Sequence, residues 1–209
     1  MDYFITNAGN IKMLFNQAAE YIMIVAPHQN LYEIIMDEKH DFTYKFNCKI
    51  ASSTKPHITL LKFSQPEIVE DRVIKYFQQI ARGQPHIEVN LKDYGSFPSH
   101  TIYINVTSKA PLLHLSKSLR KVRPLLKFRS EFRPFFLTEP HLTIARRLEP
   151  WQFEKASLEY KNMKFTGHFV ANKMTLLKRR NGDESYQHVQ DFEFLNIPTK
   201  EAIQICLFD

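Results

Sequence analysis

Two pentapeptides share one frame: Pro56-His57-Ile58-Thr59-Leu60 and Pro140-His141-Leu142-Thr143-Ile144 each read proline, histidine, aliphatic, threonine, aliphatic. Such self-similarity within one chain points to an internal duplication. Each copy opens a short apolar run, over 57–63 and 141–147, of strand rather than helix length. Residues two apart on a strand share a face. His57 therefore stands beside Thr59 and His141 beside Thr143, while Ile58, Leu60, Leu142 and Ile144 anchor the opposite face.

Outward from these runs, residues 20–26 (EYIMIVA) read as a buried strand and 31–40 as a helix. Val69, Val73, Phe77 and Ile80 recur at helical spacing behind Pro66, predicting an amphipathic helix over 67–81. Residues 86–91 and 101–106 alternate with a period of two, as strands do, around a turn at 94–99. Leu112, Leu115, Leu119 and Val122 mark a helix ending near Pro124. Residues 127–136 lack periodicity and read as a long loop, and Pro150 opens a helix reaching Tyr160. Residues 165–179 and 185–194 flank Asn181-Gly182, a strong hairpin signal. Strands and helices alternate without the crossovers of a doubly wound sheet, so the expected class is α+β with mostly antiparallel sheets.

The 209 residues are 44% apolar, 13% aromatic and 24% charged, which excludes disorder for most of the chain. Only 5 glycines argue against a glycine-built phosphate loop, and a formal charge of +6 suits an anionic partner. The amino terminus lacks a basic segment followed by an apolar one, and no apolar run is long enough to span a bilayer. Cys48 and Cys206 stand far apart without metal-binding spacing. A cytoplasmic, monomeric protein is expected, with no membrane association, no metal and no cofactor. His28, His40, His86, His100, His114, His168 and His188 form no HExxH or comparable ligand pattern and read as structural.

If the two motif strands face each other, their imidazoles flank one small anion with a hydroxyl beside each. A neutral His accepts a proton from an attacking hydroxyl, a protonated one donates to the departing ribose oxygen, and an unperturbed pKa of roughly 6.5 suits both tasks. The threonine hydroxyls can donate to the non-bridging oxygens, where charge accumulates. Which histidine is acid and which is base is open at this stage.

Paired H-x-T motifs at these places resemble the signature of the two-histidine (2H) phosphoesterase superfamily, which includes bacterial 2′-5′ RNA ligase-like proteins and cyclic nucleotide phosphodiesterases. The resemblance runs from about Glu20 to Phe194, through KPHITLLKF, the GSFP segment at 95–98 and EPHLTIARR. It implies a bilobal, pseudo-two-fold arrangement of two sheets with flanking helices and a central cleft. It also implies metal-independent action on 2′,3′-cyclic phosphates or 2′,5′-phosphodiesters of RNA or nucleotides, possible in reverse as ligation. His57 and His141 would be acid and base, and Thr59 and Thr143 phosphate ligands. The domain would span 20–196, between an extension at 1–19 and a tail at 197–209. Arg133-Pro134 is separated from His141 by the six residues 135–140, a departure that bears on the cleft rim and so on substrate choice.

Four further residues are candidate substrate ligands. Strict alternation puts Arg147 on the face of His141 and Thr143, whereas Arg146 points away unless a bulge intervenes. Phe97 and Tyr103 fall near the implied cleft wall, where they stack a base or simply pack in the sheet; Tyr186 is a weaker candidate. Between Lys117 and Arg133, basic residues interleave with Phe128 and Phe132, a composition that suits RNA contact or a solvated helix face. The rival readings are a non-catalytic RNA-binding or regulatory module on the same fold and a metallohydrolase recruiting histidines.

Overall fold

The structure, a computed structural model, describes residues 18–126 and 133–197. The first expected strand is β1 (Ala18–Val25), with Ala19, Tyr21 and Met23 sealed in the core. Helix α1 (Gln29–Phe46) runs beyond the expected 40, because Phe42 and Phe46 continue the buried stripe of Leu31, Ile35 and Lys39. It stops at Asn47, whose φ of 50° is the left-handed turn that ends helices. The short α2 (Lys49–Ser53) leads into β2 (Ile58–Pro66). A 3₁₀ turn (Glu67–Val69) then enters α3 (Glu70–Arg82), which buries Val73, Phe77 and Ile80; Phe77 packs edge-on against Phe192 with ring centres 5.9 Å apart. Full burial of each such side chain contributes about 1.5–3 kcal/mol.

Strand β3 (Ile87–Phe97) continues through most of the expected turn at 94–99, because Gly95 and Ser96 pair with Tyr103 and Ile102 of β4 (Thr101–Val106). The reversal falls at 98–100, where His100 takes a φ of 58°. Helix α4 (Lys109–Leu119) passes into a 3₁₀ segment (Arg120–Leu126) that contains Pro124. Of the expected loop, 127–132 lie outside the described residues, and β5 (Phe135–Phe136) instead pairs with β2. Then come β6 (His141–Ala145) and α5 (Pro150–Tyr160), the latter with the bounds expected. The buried Gln152 accepts the N–H of Glu149 at 2.8 Å and donates to the carbonyl of Phe46 at 2.8 Å, fastening the start of α5 to the end of α1.

Residues 165–179 form two strands rather than one. β7 (Thr166–Ala171) and β8 (Lys173–Arg179) belong to different sheets, and between them the Asn172 carbonyl accepts the N–H of Phe194 at 2.8 Å. β8 and β9 (Gln187–Glu193) form the expected hairpin, with Gly182 at φ 96° in its turn.

The fold is α+β, with two antiparallel sheets ordered β5-β2-β1-β8-β9 and β6-β4-β3-β7. Without the two-residue β5, each is a four-stranded sheet with a motif strand at its edge, and β2 and β6 approach each other there. Helix α1, which follows β1 of the first sheet, packs under β6 and β7 of the second, and α4, which follows β4, packs against β2 of the first sheet as well as β3 of its own. This two-fold pattern leaves a central cleft lined by the faces of β2 and β6 that carry the motif polar groups.

Candidate active site

Each motif strand bulges at the same place. Met23 pairs with Leu61 and Ile24 with Thr59, leaving Leu60 without a partner on β1; Ile102 pairs with Ala145 and Tyr103 with Thr143, leaving Ile144 without one on β4. Leu60 and Leu61 are both buried, as are Ile144 and Ala145. A bulge inserts one residue into the alternation, so the residues beyond it change faces. Lys62 and Arg146 thereby join the faces of their motif histidines. The strict alternation that favoured Arg147 fails here: Arg146 is the arginine turned to the cleft, and its charge bears on His57 and Tyr186 of the other lobe. Both arginines lie past the end of β6 and are exposed, and Arg147 alone takes a positive φ, 55°.

His57, Thr59, His141 and Thr143 are all half-buried on these facing strands. Both imidazoles are held alike: Nδ1 of His57 lies 2.7 Å from the carbonyl oxygen of Lys55, and Nδ1 of His141 lies 2.7 Å from that of Glu139. The residue between carbonyl and histidine is a proline in both copies, Pro56 and Pro140, whose ring fixes φ near about −65°. A carbonyl only accepts, so each neutral ring carries its proton on Nδ1 and leaves Nε2 free as an acceptor.

The electrostatic surroundings break the symmetry. Burial pushes His57 down to about 4, helped by the positive charges of Lys39, Arg146 and His141 and opposed by the Lys55 carbonyl. Burial also lowers His141, but the Glu139 carbonyl and the nearby Glu139 carboxylate oppose it, and no cation adds to the effect. His57 is thus the ring that sheds its proton and His141 the one that more readily keeps it.

Phe97 and Tyr103 surround His141. Their rings stack at 4.2 Å, Phe97 meets the imidazole edge-on at 4.9 Å, and Tyr103 lies 5.3 Å from it. Tyr103 lies across Gly95, where a Cβ would come within 2.7 Å of its ring. Of the two fates considered for these aromatics, the observed contacts are packing ones, and they orient a motif histidine.

Lys39 and Glu20 escaped the sequence reading, which allowed for a bulge beside Arg146 without locating it. Lys39 is 1% exposed, and its ammonium donates to the carbonyls of Thr143 (3.1 Å) and Ile144 (3.0 Å) and to the hydroxyl of Thr54 (3.1 Å). Its signal was a lysine inside the apolar stripe Leu31, Ile35, Phe42, Phe46. Glu20, on the cleft side of β1, accepts from Lys62 at 2.6 Å, from Arg179 at 2.7 Å and from Tyr186. The bulges were signalled by the two consecutive apolar residues that follow each threonine. Of the basic stretch, Lys117, Arg120, Lys121, Arg123 and Arg133 are exposed, and Lys127, Phe128, Arg129 and Phe132 lie outside the described residues. His100 bonds the Leu148 carbonyl at 2.9 Å and stacks on Phe153, a structural arrangement. Among the described residues no cluster of His, Cys, Asp and Glu is arranged to hold a metal, and no helix is long and apolar enough to cross a membrane.

Comparison with known proteins agrees with this architecture. Residues 29–183 match the family model of the 2′-5′ RNA ligase superfamily, and the chain belongs to that family. No curated protein sequence matches. Among solved structures, E. coli LigT in its apo form superposes with a TM-score of 0.61 at 16% identity, covering 85% of this chain and 98% of that one. A structure described as a phosphoesterase gives 0.62 at 15% identity over 84% and 98%. LigT complexed with phosphate gives 0.62 at 14% identity over 85% and 98%.

Proposed function

We propose that this protein is a phosphodiesterase that acts on 2′,3′-cyclic phosphates or 2′,5′-phosphodiesters of RNA or nucleotides by general acid/base catalysis, with residues 20–196 as the functional unit. The observation that carries the reading is the matched pair: two half-buried imidazoles on facing strands, each with Nδ1 tied to the carbonyl two residues upstream and Nε2 free. A phosphate bound between them adds negative charge that raises both pKa values. His141, beside Glu139, then carries the proton, and His57, among cations, remains neutral.

In hydrolysis, His57 Nε2 takes a proton from the attacking water as its oxygen bonds to phosphorus. His141 Nε2–H gives a proton to the ribose oxygen as the P–O bond breaks. In ligation a 5′-hydroxyl replaces the water: His57 takes its proton as the new P–O bond forms, and His141 gives one to the ribose oxygen released as the cyclic phosphate opens. Thr59 and Thr143 donate to the non-bridging oxygens, and Arg146 offers them a bidentate fork. Phe97 and Tyr103 hold His141 in place and present their outer surfaces to the sugar or base. LigT, similar in fold, is known in complexes with phosphate and with 3′-AMP, ligands of the class proposed here.

The test is incubation with a panel of 2′,3′-cyclic and 2′,5′-linked nucleotides in excess EDTA, identifying the phosphate isomer left. Turnover of at least one is expected, with loss of about 10²–10⁴-fold on His57→Gln or His141→Gln. RNA binding that survives those substitutions in a protein without turnover on any panel member would instead establish a binding module.

A further inference from the structure

We propose that Lys39 is a positioning residue of this site: from the helix beneath the second motif, its ammonium fastens the bulge that turns Arg146 toward the phosphate. The inference rests on the anion-binding role given to the cleft above.

The two bulges differ in how their backbone is satisfied. At the first, the Leu60 carbonyl accepts the N–H of Leu137 at 2.9 Å, because the chain next to β5 covers the outer edge of β2. At the second, β6 is an edge strand and no strand lies beyond it among the described residues. Lys39 takes that place, capping the Thr143 and Ile144 carbonyls, and its third hydrogen reaches Thr54, three residues before His57. An ammonium has three donors, so none remains for a substrate. Its action on the ligand must pass through what it holds.

A charge at this point is not what packing requires. The neighbours along the stripe are Ile35 and Phe42, and a methionine or leucine would fill the space. A buried cation is costly without a counter-ion. Arg146 opposes the charge of Lys39, and His57 stands within reach of its field. No carboxylate among the described residues pairs with it. Arg146 thus stands near the buried ammonium with no carboxylate between them, so a phosphate held by Arg146 also relieves the charge of Lys39. Consistently, burial and then Arg146 hold Lys39 down to about 8.

The experiment is a double-mutant cycle on inorganic phosphate binding. Lys39→Met and Arg146→Gln should each weaken phosphate by about ten- to hundredfold, the worth of a charge-assisted contact, and the double variant should bind no more weakly than Arg146→Gln alone. Additive losses, or unchanged binding by a folded Lys39→Met protein, would overturn the proposal. The wild-type protein supplies a second readout that does not depend on the variant folding: saturating phosphate should raise the Lys39 pKa, followed by NMR through its ε-methylene. A pKa that does not move would overturn the proposal equally. Phosphate-linked titration of Lys39 without turnover on the nucleotide panel would count against the catalytic reading alone.

Discussion

Leu60 and Ile144 are equivalent residues: each is the third after its motif histidine, and each stands without a partner in the ladder it interrupts. The duplication therefore extends beyond the Pro-His-x-Thr frame to the backbone irregularity that follows it. The bulges bring the side chains five positions after each histidine, Lys62 and Arg146, into the cleft. Lys62 is paired with Glu20 in the first half, whereas Arg146 makes no ion pair among the described residues.

Arg146→Gln and Arg147→Gln separate the bulged geometry from simple alternation. Replacing Arg146 should raise KM, or the inhibition constant of phosphate, by about ten- to hundredfold. Replacing Arg147 should change either by less than about twofold, as befits an exposed residue turned from the cleft. Steady-state kinetics with competitive phosphate inhibition reads both, and a reversed order of effects would mean that Arg147 faces the ligand.

The sign of the pH dependence follows from the depressed histidines. In the free protein His57 accepts a proton only near pH 4, so the acid limb of kcat/KM should lie there, and the basic limb should fall below the ordinary histidine value, since His141 is also lowered. The optimum of kcat should lie at higher pH than that of kcat/KM, because a bound anion raises both groups. A kcat/KM optimum above pH 7 would contradict this assignment.

The same depression links folding to pH. An unfolded His57 binds its proton near pH 6.5 and the folded one only near 4, so between those values the unfolded chain holds the extra proton and stability falls as pH drops. His57→Gln should flatten that part of the stability curve. Urea unfolding of both proteins at pH 7 and pH 4.5 measures the difference, and equal losses in the two would refute the shift.

Much of the architecture was legible because it rests on local pattern. The Pro-His-x-Thr repeat, the apolar run of β1, the proline-opened α5 and the Asn181-Gly182 hairpin each state their structure within a few residues. Features set by distant partners were less legible. Residues 165–179 read as one strand because nothing local marks Asn172 as the point where the chain changes sheets. The GSFP segment read as a turn, although Gly95 is there to let Tyr103 cross it. Alternation favoured Arg147 and kept Arg146 only for the case of a bulge, yet Leu60-Leu61 and Ile144-Ala145 break the period of two in the sequence itself. Lys39 went unnoticed because its acceptors, the Thr143 and Ile144 carbonyls, lie more than a hundred residues away.

Gly95→Ala tests whether the aromatic pair orients His141. The added methyl meets the Tyr103 ring at 2.7 Å and must displace it. Overpacking of this kind costs about 1–3 kcal/mol. A folded protein with a lowered melting temperature and a several-fold lower kcat is expected, and full activity would release Tyr103 from that role.

The central claim, that both imidazoles serve one phosphorus, is tested most directly by titrating inorganic phosphate while following the ring resonances of His57 and His141 by NMR. One dissociation constant should describe both rings, with both pKa values rising at saturation. Movement of only one ring, or two unrelated constants, would contradict a shared site.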